Sequence, residues 1–379
     1  MSVTIGAPPG ARRRRLIGLA VAAALVLVWW VARQRAQRVP GQVFTNSLGR
    51  TQVAALAFDP NGPWLACQVS RPDSQLGNVY VVDVLNAKTG DVAWESKGPF
   101  DVEPVWAQTA NTLYFADLHG RNLAAGVWAP PPAGARTPIP MQGPEWATRN
   151  DGVWLPHDGM VLAAADGKNG WLVEAWNPAT GKRTPETQVT IHASNAVASS
   201  DGKYLAFIAQ STRQTSLAVV DRSGKLLYTS PVRQQVFDAT FTPDSRRILY
   251  LAKSGRDETL QKLDLSSWTR STIVRRPWFY LPVVANPKGQ LAVSVVTVDL
   301  HKRIQIYDVN SNKMLAQSPP QIDCQAPAWS GDGSQLAFGW QNRDTKDCGV
   351  SVIDWRTVQA QNLWPVGPEA VPIPGRPAP

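Results

Sequence analysis

Pro327–Phe338 reads PAWSGDGSQLAF: a short apolar run, a turn built on Ser-Gly-Asp-Gly, and a second apolar run beginning Leu-Ala-Phe. Ser, Asp and Gly are turn formers for distinct reasons, the first two through side-chain bonds to nearby backbone and Gly through its access to positive φ. The string therefore reads as two short strands and the turn that joins them. It recurs as AVASSDGKYLAF from Ala196, ATFTPDSRRILYLA from Ala239 and ALAFDPNGPWLA from Ala55, with weaker copies around Thr109, Asp158 and Lys288. Marked at the turn, the copies fall at 61, 109, 158, 201, 244, 288 and 332, a spacing of 43 to 49 residues. Self-similarity at such a period is the signature of a repeat architecture.

A second pattern follows each copy. An alternating strand ends in Asp and meets a turn, as in VYVVDVLNAKTG from Val79, SLAVVDRSGK from Ser216, RIQIYDVNSNK from Arg303 and GVSVIDWRT from Gly349. Asp83, Asp221, Asp264, Asp308 and Asp354 are aligned at that place; repeats two and three carry Val127-Trp128 and Trp176-Asn177 instead. A last short strand closes each unit, for example Val92 to Glu95 or Leu226 to Thr229. Each unit thus reads as four antiparallel strands, and helical periodicity of useful length is missing after residue 40. A four-stranded sheet cannot bury both faces alone; packing on neighbours around a ring does so and leaves only short edges. The expected fold is all-β, a seven-bladed β-propeller over residues 51–364, or six-bladed should one weak copy not be a repeat.

The strings PAWSGDGSQLAF, ASSDGKYLAF and FTPDSRRILYLA resemble the repeat of TolB-like propellers, relatives of the WD-repeat family. The resemblance implies a propeller that binds proteins or small ligands, often in the bacterial envelope. The chain departs from TolB in having no α/β domain ahead of the repeats and seven repeats rather than six, so TolB's lipoprotein partner does not carry over.

Ahead of the repeats, Leu16 to Ala32 is a run of 17 residues without a charge, preceded by Arg12 to Arg15 and carrying Trp29 and Trp30 near its far end. Its length suits a short membrane helix and its Trp pair suits the interface. The run ends Val31-Ala32-Arg33-Gln34-Arg35, a poor match to a small-residue cleavage site, which favours a retained signal anchor. The expected organisation is a basic tail (1–15), an anchor (16–32), a juxtamembrane linker (33–50), the repeat domain and a Pro-rich tail (365–379). The net charge of +9 belongs to this front segment: without its seven Arg, 31 basic residues face 29 acidic ones. A repeat domain near neutrality argues against a nucleic-acid partner.

No CxxC, HExxH, P-loop or GxGxxG occurs, and His119, His157, His192 and His301 lie in different repeats, so neither a metal nor another cofactor is expected. Ser200-Asp201-Gly202-Lys203 matches Ser-x-x-Lys but sits in a repeat turn. The repeated Asp is read as pinning its turn through backbone N–H groups rather than as binding calcium. Cys324 and Cys348 precede the first and third strands of the last repeat; parallel strand directions put them on one face, where a disulfide is expected, in keeping with an oxidising periplasmic or extracellular location. Cys67 takes a core position, and Trp106 and Trp329 share a core position of the repeat.

Residues leading into the innermost strands converge on one mouth of the central channel. They include Asp101, Glu103, Trp146, His192, Asp238, Arg275, Trp278, Tyr280, Asp323 and Gln325, a set of acids, aromatics and Arg suited to a ligand or protein partner. With no assembled catalytic motif, the expectation is a membrane-tethered, non-enzymatic binding or scaffold propeller. The alternative is an envelope propeller enzyme of hydrolase, lyase or lactonase type using the acids and Arg at the channel mouth.

Overall fold

The computed structural model describes residues 42–49, 52–73, 77–96, 102–106, 111–117, 124–131, 134–140, 153–157, 160–167, 170–176, 183–189, 193–210, 214–231, 234–255, 257–276, 279–297, 300–319, 323–342 and 344–365. The anchor segment and the Pro-rich tail beyond Pro365 lie outside these, and no helix among the described residues is long and apolar enough to cross a membrane.

Among the described residues the strands form seven four-stranded antiparallel sheets. The first holds β2 (Gln52–Phe58), β3 (Trp64–Asp73), β4 (Gly77–Asn86) and β5 (Val92–Glu95). The second runs from β6 (Val102–Trp106) to β9 (Gly134–Pro140), and the third from β10 (Val153–His157) to β13 (Arg183–Val189). The fourth holds β14 (Ala193–Ala198), β15 (Tyr204–Gln210), β16 (Thr215–Asp221) and β17 (Leu226–Thr229). The fifth holds β18 (Gln235–Phe241), β19 (Arg247–Ser254), β20 (Asp257–Asp264) and β21 (Arg270–Arg276). The sixth holds β22 (Phe279–Ala285), β23 (Gln290–Val296), β24 (Lys302–Asp308) and β25 (Met314–Gln317). The seventh is completed from both ends of the domain: β26 (Asp323–Trp329), β27 (Gln335–Gln341) and β28 (Cys348–Asp354) are joined by β1 (Gln42–Gly49) as outer strand.

The first strand of each sheet touches the first strand of the next, and β26 touches β2, so the cycle returns to its start. This is the arrangement of a β-propeller. Apolar layers fill the gaps between sheets: Leu65, Cys67 and Val69 pack with Ala328, Val350 and Val352 between the first and last sheets. Trp106, Leu113 and Trp128 pack on Ala66, Val82 and Val84 between the first and second. Cys67, Trp106 and Trp329 are buried, as their repeat positions indicate.

Four features differ from the reading of the sequence. First, Gln42–Gly49 is a strand and not linker; its string QVFTNSLG buries only Phe44, so its pattern carries little signal, and it is fixed by pairing with β28. Second, a short helix, α1 (Trp355–Ala360), follows β28, capped by Asp354, whose carboxylate accepts from Thr357 N, with Trp355 and Val358 buried.

Third, Asp83 does not hold the place of the repeated Asp. Tyr204 faces Asp221 and Gln290 faces Asp308, whereas the corresponding Trp64 faces Asn86. Asn86 Oδ1 pins that turn by accepting from Lys88 N, as Asp221 Oδ1 does from Ser223 N and Lys225 N. Asp83 lies three residues earlier, in mid-strand and fully buried. Fourth, no disulfide joins Cys324 and Cys348: both are free and buried. Cys324 faces Trp340 and through it Gly349, while Cys348 faces Gln341 and through it Asp323. One residue of register places the thiols on opposite faces of the pleat, and two strand spacings of about 4.8 Å exceed the reach of a disulfide.

Candidate active site

Six of the seven first strands carry a register shift near their starts, for instance between Val102 and Val105 in β6 and between Val236 and Asp238 in β18. A bulge leaves extra residues unpaired and re-aims their side chains. In β6 Glu103 and Pro104 stand opposite the single residue Phe115, and in β18 the extra residue is Phe237. Glu103 is exposed to solvent and Phe237 is 43% exposed, although both belong to innermost strands.

Asp238 follows Phe237 and is 8% exposed. Its Oδ2 accepts from Val283 N of the next sheet at 3.1 Å. Burial pushes its carboxyl up to about 7, with the charge of Glu103 adding to the rise and backbone N–H groups of Val283 and Ala239 opposing it. Burial within the surrounding protein also raises the carboxyl of Glu103, even though solvent reaches it. The second and fifth sheets are not adjacent in the cycle, so Glu103 and Asp238 sense one another across its centre. A solvent-reached group that is nonetheless deep in protein is what the wall of an axial channel provides. Carboxyl groups whose charges interact in this way do not ionise independently, and one raised toward neutrality can act as acid or base.

The same end of the ring carries a second set. Asp323, 7% exposed, begins β26; its Oδ1 lies 3.0 Å from His301 Nδ1 and accepts from Lys302 N at 3.0 Å. The imidazole is thus oriented by a buried carboxylate, the arrangement that fixes a catalytic base. The His301 side chain is 30% exposed. Gln325 is spent on joining sheets: its Oε1 accepts from Lys302 Nζ at 3.0 Å and its Nε2 donates to Val53 O at 3.0 Å. Among the described residues, no group of three or more His, Cys, Asp or Glu is placed to hold a metal ion.

Of the residues selected from the sequence, Glu103, Asp238, Asp323 and Gln325 lie where the first strands begin. Arg275 does not: it is on β21, the outer strand of the fifth sheet, paired with Asp257 at 2.8 Å. Asp101, Trp146, His192 and Trp278 lie outside the described residues, as does the side chain of Tyr280. His301 and Phe237 were not singled out. The four histidines looked scattered because the partner of His301 is 22 residues away, on another sheet. Phe237 had only its place beside Asp238 as a signal. The Ser200–Lys203 string sits in a hairpin turn, where Ser199 Oγ donates to Asp201 Oδ1 at 2.7 Å and Gly202 has φ +66°.

No family model matches the chain, and no curated protein matches it in sequence. Solved structures do match in fold. Kuenenia stuttgartiensis hydrazine synthase has a TM-score of 0.56 at 14% identity, over 84% of this chain and 96% of that one. An oligogalacturonate lyase from Vibrio parahaemolyticus has a TM-score of 0.56 at 9% identity, over 83% and 92%. Puromycin hydrolase has a TM-score of 0.57 at 16% identity, over 77% of this chain and 50% of that one. At such identities the likeness is one of fold. It corrects the expectation of a non-enzymatic scaffold, whose ground was a complete ring with no linear catalytic motif. Similar folds bear the names of a synthase, a lyase and a hydrolase, so a complete ring without a linear catalytic motif does not single out a scaffold.

Proposed function

We propose that this chain is a seven-bladed propeller enzyme that performs acid–base chemistry, hydrolysis or elimination, on a polar small molecule at the channel mouth. Residues 16–32 hold it in a membrane with the ring on the periplasmic or extracellular side, and its repeat places it near the TolB-like propellers. The observation that carries the catalytic reading is that Glu103 and Asp238 both stand at bulged starts of first strands, on sheets not adjacent in the cycle, with both carboxyls raised by burial and the charge of one acting on the other. A carboxyl titrating near 7 exchanges protons at neutral pH in both directions, which an ordinary carboxylate does not. Glu103, reached by solvent, is the group that meets substrate; its charge adds to the rise in Asp238, the carboxyl that exchanges protons near neutral pH. His301, oriented by Asp323, is a second base at the same end. The membrane reading and, with the cysteines free, the side of the ring as well rest on the Arg-flanked apolar run.

The test is a turnover screen of the full chain in detergent against lactones, aryl esters and uronate-containing oligosaccharides. One class should be consumed, with a rate that changes through pH 7 as Asp238 titrates. Asp238→Asn should lower that rate by roughly a hundredfold, the usual scale for loss of a positioned acid or base. Full activity in the Asn variant would refute the assignment.

A further inference from the structure

A cavity of about 520 Å³ opens in the crevice between the fourth and fifth sheets, away from the carboxyl pair. Strand lengths create it. β17 has four residues and β21 has seven, so the fourth sheet leaves the outer part of its neighbour uncovered. On the fifth sheet, the face turned to the fourth is apolar near the axis, where Tyr250 and Leu263 pack with Leu217 and Val219. Along β20, from Leu263 toward the start of the strand, it becomes polar. Thr259 and Gln261, 5% and 6% exposed, line the cavity with Gln234, 5% exposed.

These groups are held in place by one another. Tyr250 Oη donates to Gln261 Oε1 at 2.8 Å, Gln261 Nε2 to Thr259 Oγ1 at 2.9 Å, and Thr259 Oγ1 to Ala252 O at 3.1 Å. The same position of the sixth and seventh sheets is filled from the outer strand. In the sixth, Gln305 faces Gln317 and donates to its Oε1 at 2.6 Å; in the seventh, Ser351 faces Thr45, with 2.8 Å between hydroxyls. In the fifth, the residue facing Gln261 is Thr272, too short to fill the space. Two arginines border it. Arg275 is neutralised by Asp257, whereas Arg270 Nη1 donates to the uncharged amide of Gln234 at 3.1 Å. The cavity therefore carries one positive charge that Asp257 does not balance, over a floor of fixed amide and hydroxyl groups.

We propose that this crevice binds a small hydroxylated anion, its single carboxylate or phosphate on Arg270 and its hydroxyls on Gln234, Thr259 and Gln261. Guanidinium matches either anion in geometry and charge, and hydroxyl-bearing bodies exchange donors and acceptors with amides. The site is independent of the carboxyl pair at the ring centre.

Isothermal titration of the full chain in detergent at low salt tests it, with gluconate, glucose 6-phosphate and glucose as probes. One or both anions should bind and glucose should not; the stronger anion identifies the acid group. Arg270→Gln should weaken binding by at least roughly tenfold, the worth of a charge-assisted hydrogen bond. Thr272→Gln, which rebuilds the Gln-on-Gln filling of the sixth sheet without touching a charge, should abolish binding while the chain melts as the wild type does. Asp238→Asn should bind unchanged, which separates this site from the proposed catalytic one. Absence of heat with both anions, equal binding of glucose, or undiminished binding in a folded Thr272→Gln would overturn the proposal.

Discussion

Asp83 is the sharpest test of the packing between the first and last sheets. Its side chain is 1% exposed; Oδ2 accepts from Arg71 Nη2 at 2.6 Å, while Oδ1 is buried with no partner. Burial raises its carboxyl to about 6 despite Arg71, and the Glu95 charge adds to the rise. Against a starting value of 3.8, the shift corresponds to about 3 kcal/mol, at about 1.36 kcal/mol per unit. The sign follows from linkage: a carboxyl raised on folding favours the native state while protonated, and that advantage is lost as pH rises from about 4 through about 6. Above pH 6 the native chain holds a desolvated charge that the unfolded chain does not. Asp83→Asn keeps a side-chain acceptor for Arg71 and removes the charge.

The variant should therefore gain on the wild type by up to about 3 kcal/mol between pH 4 and pH 7.5. For a repeat domain of roughly 320 residues, with an unfolding entropy of about 2 cal/mol/K per residue, that is about 5 °C in Tm. The assay is scanning fluorimetry on intrinsic Trp emission at a series of pH values, read as the difference between variant and wild type. Any constant offset from the altered Arg71 contact drops out of the change of that difference with pH. A gap in Tm that stays flat from pH 4 to pH 7.5 would show that Asp83 is not desolvated, and the packing described between β4 and the last sheet would be wrong.

Other expectations follow from the same geometry. Gly349→Ala would drive a methyl into the Asn46 carbonyl oxygen and against the Trp340 ring, at 2.6 Å, so β1 should detach and limited proteolysis should cut between residues 33 and 50. Gln325→Ala removes the side chain that ties Val53 O to Lys302 and should cost about 1–3 kcal/mol in chemical denaturation, because a buried carbonyl loses its donor. Non-reducing peptide mapping should find Cys67, Cys324 and Cys348 all as thiols, slow to react in the native state because all three are buried; a Cys324–Cys348 peptide would contradict the register of β26 to β28.

The sequence alone determined the period, the four-strand unit and the turns. Each is fixed within some 45 residues by alternation and by short-range bonds, such as those of Ser199 with Asp201 and of Asp221 with Ser223. It also sorted the acids leading into the first strands from those that pin turns, with Asp83 the exception that only the register of β3 and β4 revealed. Only the tertiary structure decided the rest. The place of β1 depends on a partner strand some 300 residues away, and the fate of Cys324 and Cys348 on a single step of register. The action of the Glu103 charge on Asp238, the contact of His301 with Asp323, and the cavity beside Arg270 arise between separate sheets. Strand and turn preferences act along a few residues and can be read from them, whereas contacts between sheets are set by bulges, strand lengths and closure of the ring, which no local string encodes.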